Sequence, residues 1–204
     1  MSVFFISDHH LGDKDILSYN NYNGTPMRNF KTLDEMHNFI ITQHNKVVKP
    51  SDKVFFLGDV VIDKRYFDLL NEMNGSKRLI LGNHDIFTKR KKISLGKEIF
   101  FINEYQKYFE DILSCKVFPN SFICSHIPLS IGSFRKFKYN VHGHLHHSVV
   151  KIDNSLMEDN RYFNVSCEKL NYTPISYDEI NMILNSIFRT DEYMEKFGKF
   201  YEQI

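Results

Sequence analysis

Five times along this chain a short apolar run ends at a small or polar residue and is followed at once by side chains that bind metals. Val3-Phe4-Phe5-Ile6 leads into Ser7-Asp8-His9-His10, Val54-Phe55-Phe56-Leu57 into Gly58-Asp59, and Leu79-Ile80-Leu81 into Gly82-Asn83-His84-Asp85. Further on, Phe122-Ile123-Cys124 passes through Ser125 to His126, and Tyr139-Asn140-Val141 passes through His142-Gly143 to His144-Leu145-His146. Asp8 and His10 are two apart, so on an extended segment they point to one side and can grip one cation through oxygen and nitrogen; His144 and His146 repeat the spacing. Asp59, Asn83 and His126 each stand alone after their own run. Seven ligands are too many for one ion. Two divalent cations roughly 3.5–4 Å apart would use them, with Asp59 as the bridge and a hydroxide held between.

Charge indicates what such a site attracts. The two carboxylates, Asp8 and Asp59, do not neutralise two divalent cations, and the remaining positive charge suits a phosphate ester. Paired cations lower the pKa of bound water, so attack by metal-activated hydroxide needs no side-chain nucleophile. His84, between Asn83 and Asp85, is placed to protonate the leaving oxygen, and Asp85 could hold its ring in the useful tautomer. Arg28, in the polar stretch after the first motif, is a candidate for clamping a phosphate through two parallel hydrogen bonds.

The runs before these residues are short and rich in aromatic and β-branched side chains, and so read as buried strands. The ligands would then lie just past strand ends, where α/β folds gather their ligands. Thr32-Leu33-Asp34-Glu35 is a capping-box pattern opening a helix on Leu33, Met36, Phe39, Ile40 and Val47 that Pro50 ends. A helix over Tyr66 to Met73 precedes the third strand, giving βαβαβ order and parallel strands. Beyond Asp85 a basic run, Lys89 to Lys92, and a short helix from Glu98 to Phe109 could form a lid. From Leu113 the strands come closer together, with Ser148 to Ile152 as another candidate, which predicts antiparallel neighbours and a mixed sheet. Ser176 to Glu179 is a second capping box, opening a helix through Ile180, Ile183, Leu184 and Ile187, and the tail from Asp191 reads as helical.

At 204 residues, with no linker or repeat, the whole of 1–204 reads as one domain. A net charge of +1 argues against a general nucleic-acid or membrane-surface binder, so an anionic substrate must be held locally. Lys89 to Lys92 and the group Arg135, Lys136 and Lys138 follow metal motifs and could touch a polyanion. Cys115, Cys124 and Cys167 are an odd number without a CxxC pair and read as reduced thiols. The first apolar run is too short for a signal peptide or membrane span, and a cytoplasmic location follows as the expectation.

The five motifs, in this order from Asp8 to His146, resemble those of the calcineurin-like metallophosphoesterases. Arg28-Asn29-Phe30 and His126-Ile127-Pro128-Leu129 are similar to the small prokaryotic and phage members. The resemblance implies a two-sheet mixed β-sandwich flanked by helices, in α/β/β/α order. It implies that Asp8, His10, Asp59 and His146 hold a first metal and Asp59, Asn83, His126 and His144 a second, with manganese as the first choice. Four imidazoles with Asp and Asn also suit iron, zinc, cobalt or nickel. The implied substrate is a phosphodiester or phosphomonoester of nucleotide or nucleic-acid type. The alternative is a non-catalytic protein using the same fold as a binding platform, which eroded motifs would mark; here every motif keeps its chemistry. Two positions depart from the pattern: Ile62 stands where many relatives have Asp, with Asp63 one residue later, and Asp13 stands where small relatives often have His.

Overall fold

In the computed structural model, residues 1–85, 107–118, 122–134, 137–152 and 156–187 are described. The predicted lid up to residue 106, its basic run Lys89 to Lys92, Arg135 with Lys136, and the tail after Asp191 lie outside them; the end of the predicted lid helix, 107–109, is not helical, and Phe109 is buried in the core. A five-stranded sheet has the order β4-β3-β2-β1-β9, built from β1 (Val3–Ile6), β2 (Lys53–Phe56), β3 (Ser76–Ile80), β4 (Asp111–Leu113) and β9 (Ile175–Ser176). A four-stranded sheet has the order β5-β6-β7-β8, built from β5 (Lys116–Val117), β6 (Phe122–Cys124), β7 (Tyr139–His142) and β8 (Tyr162–Asn164). Each sheet is mixed, with β9 and β5 as the antiparallel edge strands.

Both faces of β1 and β2 are apolar, as strands covered on both sides require. Phe4, Ile6, Val54 and Phe56 face helix α1 (Leu33–Val47) with Met36 and Ile40. Phe5 and Phe55 face the other way, and with Phe122, Cys124 and Val141 of the second sheet they form the core between the sheets. Phe5 and Phe122 meet edge to face at 5.5 Å. Helix α2 (Tyr177–Ile187) adds Ile180 and Leu184 to that core.

Both helix starts use the predicted caps. Thr32 Oγ1 accepts from the Glu35 amide at 3.1 Å, while the Glu35 carboxylate accepts from the amide of Lys31 rather than of Thr32. Ser176 and Glu179 make the full reciprocal pair. The helix expected over Tyr66 to Met73 is a 3-10 helix, Lys64–Glu72, capped by Asp63, whose carboxylate accepts from the Arg65 amide.

Two expectations are corrected. Strands β5 and β6 are antiparallel neighbours as expected, but β6, β7 and β8 run parallel, because crossovers rather than hairpins join them. Ser148 to Ile152 forms no strand and contributes one isolated bridge, Lys151 to Glu158. The parallel arrangement matters for the site, since it brings the C-terminal ends of β6, β7 and β8 to one edge. At that edge β1 and the end of β8 are joined: the Ser7 amide donates to Val165 O and the Cys167 amide to Ser7 O, each at 3.0 Å.

Candidate metal centre

Every predicted ligand stands on a loop just past the C-terminal end of a strand, and these loops abut. The Asp8 amide donates to Gly58 O, the His10 amide to Asp59 O and the Gly143 amide to His126 O, all at 3.0 Å. Glycines make the close approach possible. A methyl group at Gly143 would meet Asp8 Oδ2 at 2.5 Å, and one at Gly58 would meet the Gly82 backbone and His126 Nδ1 at 2.6 Å.

The ligand backbones themselves are in an uncommon conformation. Among the described residues seven non-glycine residues have positive φ, and five of them are Asp8 (59°), His10 (53°), Asp59 (52°), His144 (70°) and His146 (49°). Left-handed backbone at such residues costs of order 1–3 kcal/mol each, and persists where the surroundings over-determine it. The extended segment expected for each ligand pair is therefore replaced by a coiled loop. Asp8 and His10 still converge, but His144 and His146 part.

Two groups result: Asp8, His10 and His146 form one, and Asp59, His126 and His144 the other, each with candidate ligand atoms within 4.8 Å of one another. Asp59 Oδ2 lies between them, 3.2 Å from His126 Nε2 and 3.9 Å from His10 Nε2. Asn83 joins the second group, its Oδ1 2.9 Å from His126 Nε2. A cation fits the first group on the structure's own terms. Asp8 Oδ1 and His10 Nε2 are buried and without a hydrogen-bond partner, which costs about 1–3 kcal/mol per group unless something else coordinates them. Burial would lower the His126 pKa, but its bond to Asp59 and the charges of Asp8 and Asp59 push it up to about 9, the mark of a strongly negative pocket.

The sequence description of the calcineurin-like phosphoesterase family matches residues 1–178. The chain belongs to that family. An uncharacterized protein of Methanocaldococcus jannaschii is 30% identical over 182 residues, covering 87% of this chain and 88% of its own. A crystal structure of a protein of unknown function from Aquifex aeolicus superposes with a TM-score of 0.60 at 23% identity, covering 89% of this chain and 98% of that one, and so shares the fold. The metallophosphoesterases depend on two metals, and the two ligand groups here match that requirement.

What orients the ligands of this metallophosphoesterase was less visible in sequence. His10 Nδ1 donates to Asp13 Oδ2 at 2.8 Å, His146 Nδ1 to Glu168 Oε1 at 3.0 Å and His126 Nδ1 to Leu57 O at 2.7 Å, leaving each Nε2 for a metal. Asp8 Oδ2 accepts from Ser7 Oγ, Ser166 Oγ and the His144 amide, which leaves Oδ1 as the free oxygen. Ser166 and Glu168 follow β8, so a sixth strand end feeds the site. The signal was present: Tyr162-Phe163-Asn164-Val165 leads into Ser166-Cys167-Glu168 as the other five runs lead into their motifs.

Three predicted site residues fall in different positions. His84 is exposed beside the first group, its ring 5.8 Å from that of His10 and its amide donating to Asp59 Oδ1 at 2.7 Å. Asp85 is fully buried, and its carboxylate accepts from the amides of Gly82, Asp59 and Val60. It clamps the β2 and β3 loops together rather than standing as an orienter of the His84 ring, and burial pushes its pKa up to about 6. Arg28 is also buried, which corrects its reading as a phosphate clamp. Its guanidinium donates to Glu168, to His9 O and to Asp8 O, so its fork is directed into the protein and braces the first ligand loop. Burial would raise the Glu168 carboxyl, but the Arg28 charge together with the hydrogen bond and charge of His146 holds it well below the usual range.

Two further histidines and the three cysteines lie outside the centre. His37 and His44 are buried, Cys124 and Cys167 are buried, Cys115 is exposed, and all three cysteines are free. Among the described residues no helix is long and apolar enough to cross a membrane.

Proposed function

We propose that this protein is a dinuclear-metal-dependent phosphoesterase that hydrolyses phosphodiester or phosphomonoester bonds, of nucleotide or nucleic-acid type, with manganese as its preferred metal. The observation that carries the reading is Asp59, whose carboxylate lies between two ligand groups within a pocket where buried ligand atoms lack partners. Metals bound there supply a lowered water pKa and positive charge for the phosphoryl oxygens.

The chain's own residues do the rest. Asp8, His10 and His146 would hold one ion, Asn83, His126 and His144 the other, and Asp59 both. Asn83 and His84 are exposed at the mouth, where a substrate's leaving group would sit, and His84 is the proposed general acid. Asp85, by fixing the Gly82 and Asp59 amides, holds the loop that carries His84 and thus acts on it at one remove. Oxygen and imidazole donors together are compatible with manganese.

Purified protein loaded with manganese is expected to hydrolyse bis-p-nitrophenyl phosphate. Asp59→Asn should lose roughly a thousandfold or more, together with bound metal, since it removes a ligand of both ions. His84→Ala should lose about 10²–10⁴-fold with metal content unchanged. Full activity in both variants would overturn the mechanism, and no turnover across monoesters, diesters, cyclic nucleotides and oligonucleotides would favour a binding role.

A further inference from the structure

The two ligand groups differ in what stands behind their imidazoles. In the first, both histidines are backed by carboxylates: Asp13 accepts from His10 and Glu168 accepts from His146. In the second, His126 is backed by the Leu57 carbonyl, and among the described residues no group is hydrogen-bonded to the His144 ring. A carboxylate accepting the Nδ1 proton places more electron density on Nε2 than a neutral carbonyl does, and fixes the ring's rotation as well as its tautomer. The first group is also more tightly braced. Glu168 Oε1 receives Arg28 Nε and His146 Nδ1, and Arg28 in turn donates to the carbonyl oxygens of Asp8 and His9. One buried ion pair therefore positions the backbone of one ligand and the ring of another.

We infer that the two metal positions are unequal: the group of Asp8, His10 and His146 binds its ion tightly, through Asp13 and Glu168 as positioning residues, while the group of Asn83, His126 and His144 holds the exchangeable ion. The inference rests on the two-metal reading above. It implies that a one-metal form accumulates when metal is scarce.

Cobalt(II) titrated into chelator-treated full-length protein, followed by visible absorption and by calorimetry, tests this without any turnover assay. Wild type should take up two ions in two steps separated by tenfold or more, and His144→Ala should lose the weak step while keeping the tight one. Asp13→Asn should weaken the tight step by about 10–100-fold, shift its cobalt absorption band and leave the weak step in place. Glu168→Gln should do the same, with Glu168→Asp recovering part of the loss. Should Glu168→Gln fail to fold because Arg28 is left unpaired, Asp13→Asn decides the matter, its side chain being partly exposed at the edge of the site. Two equal steps, or an Asp13→Asn variant in which both steps shift alike or neither moves, would overturn the inference. Failure of the phosphoesterase reading is separable: unequal cobalt steps without turnover leave this inference standing, and turnover with equal steps does the reverse.

Discussion

The two sheets contribute to the centre in different currencies. Loops of the five-stranded sheet bring the oxygen ligands Asp8, Asp59 and Asn83 with a single imidazole, His10; loops of the four-stranded sheet bring His126, His144 and His146, backed by Glu168 after β8. Neither sheet holds a complete group, because each of the two groups takes ligands from both. Metal binding in this family member is therefore a report on how well the sheets dock, and the docking core of Phe5, Phe55, Phe122, Cys124 and Val141 belongs to the function as much as to the stability.

That comparison can be broken most directly at the docking core. Phe122→Ala, at a site with no exposure, should cost about 3–5 kcal/mol in urea denaturation and weaken manganese uptake as well. Ile40→Ala on the outer face of the five-stranded sheet should cost about 2–5 kcal/mol yet leave metal affinity near wild type. Equal effects of the two on metal uptake would show that the sheets do not need to dock to hold metal.

Acid sharpens the same contrast from the outer face. Burial pushes the His44 imidazole down from 6.5 to about 4, while its Nε2 donates to Asn74 O at 2.9 Å. A pKa lower in the folded than in the unfolded chain means that the unfolded chain binds the extra proton between these values. The His44 contribution to stability is then complete above pH 6.5 and is lost as pH falls toward 4, to a total of about 3 kcal/mol. Denaturation at a series of pH values should show this loss in wild type and a shallower one in His44→Leu, in metal-free protein. The smallest effect expected is at the helix caps. Thr32→Ala should lower stability by about 1 kcal/mol, and a like loss from Ser176→Ala would show that the outer helix and the helix at the sheet interface are held equally by their ends.

The ligand types, their order and the strand that precedes each one were legible in the sequence, because a buried strand needs an apolar run and a metal needs a particular donor chemistry, and both are written in residue identity. So were both helix caps and the family resemblance carried by the five motifs. Tertiary structure decided how the ligands come together: His144 and His146 look like a pair at their spacing, but they lie in different groups, as the family resemblance implied. It also decided that Arg28 faces inward to Glu168, a partner 140 positions away. Residue type is a local property, whereas the partner of a side chain depends on where a distant strand end comes to rest, and here that was fixed by the parallel alignment of β8 with β7 and its joining to β1.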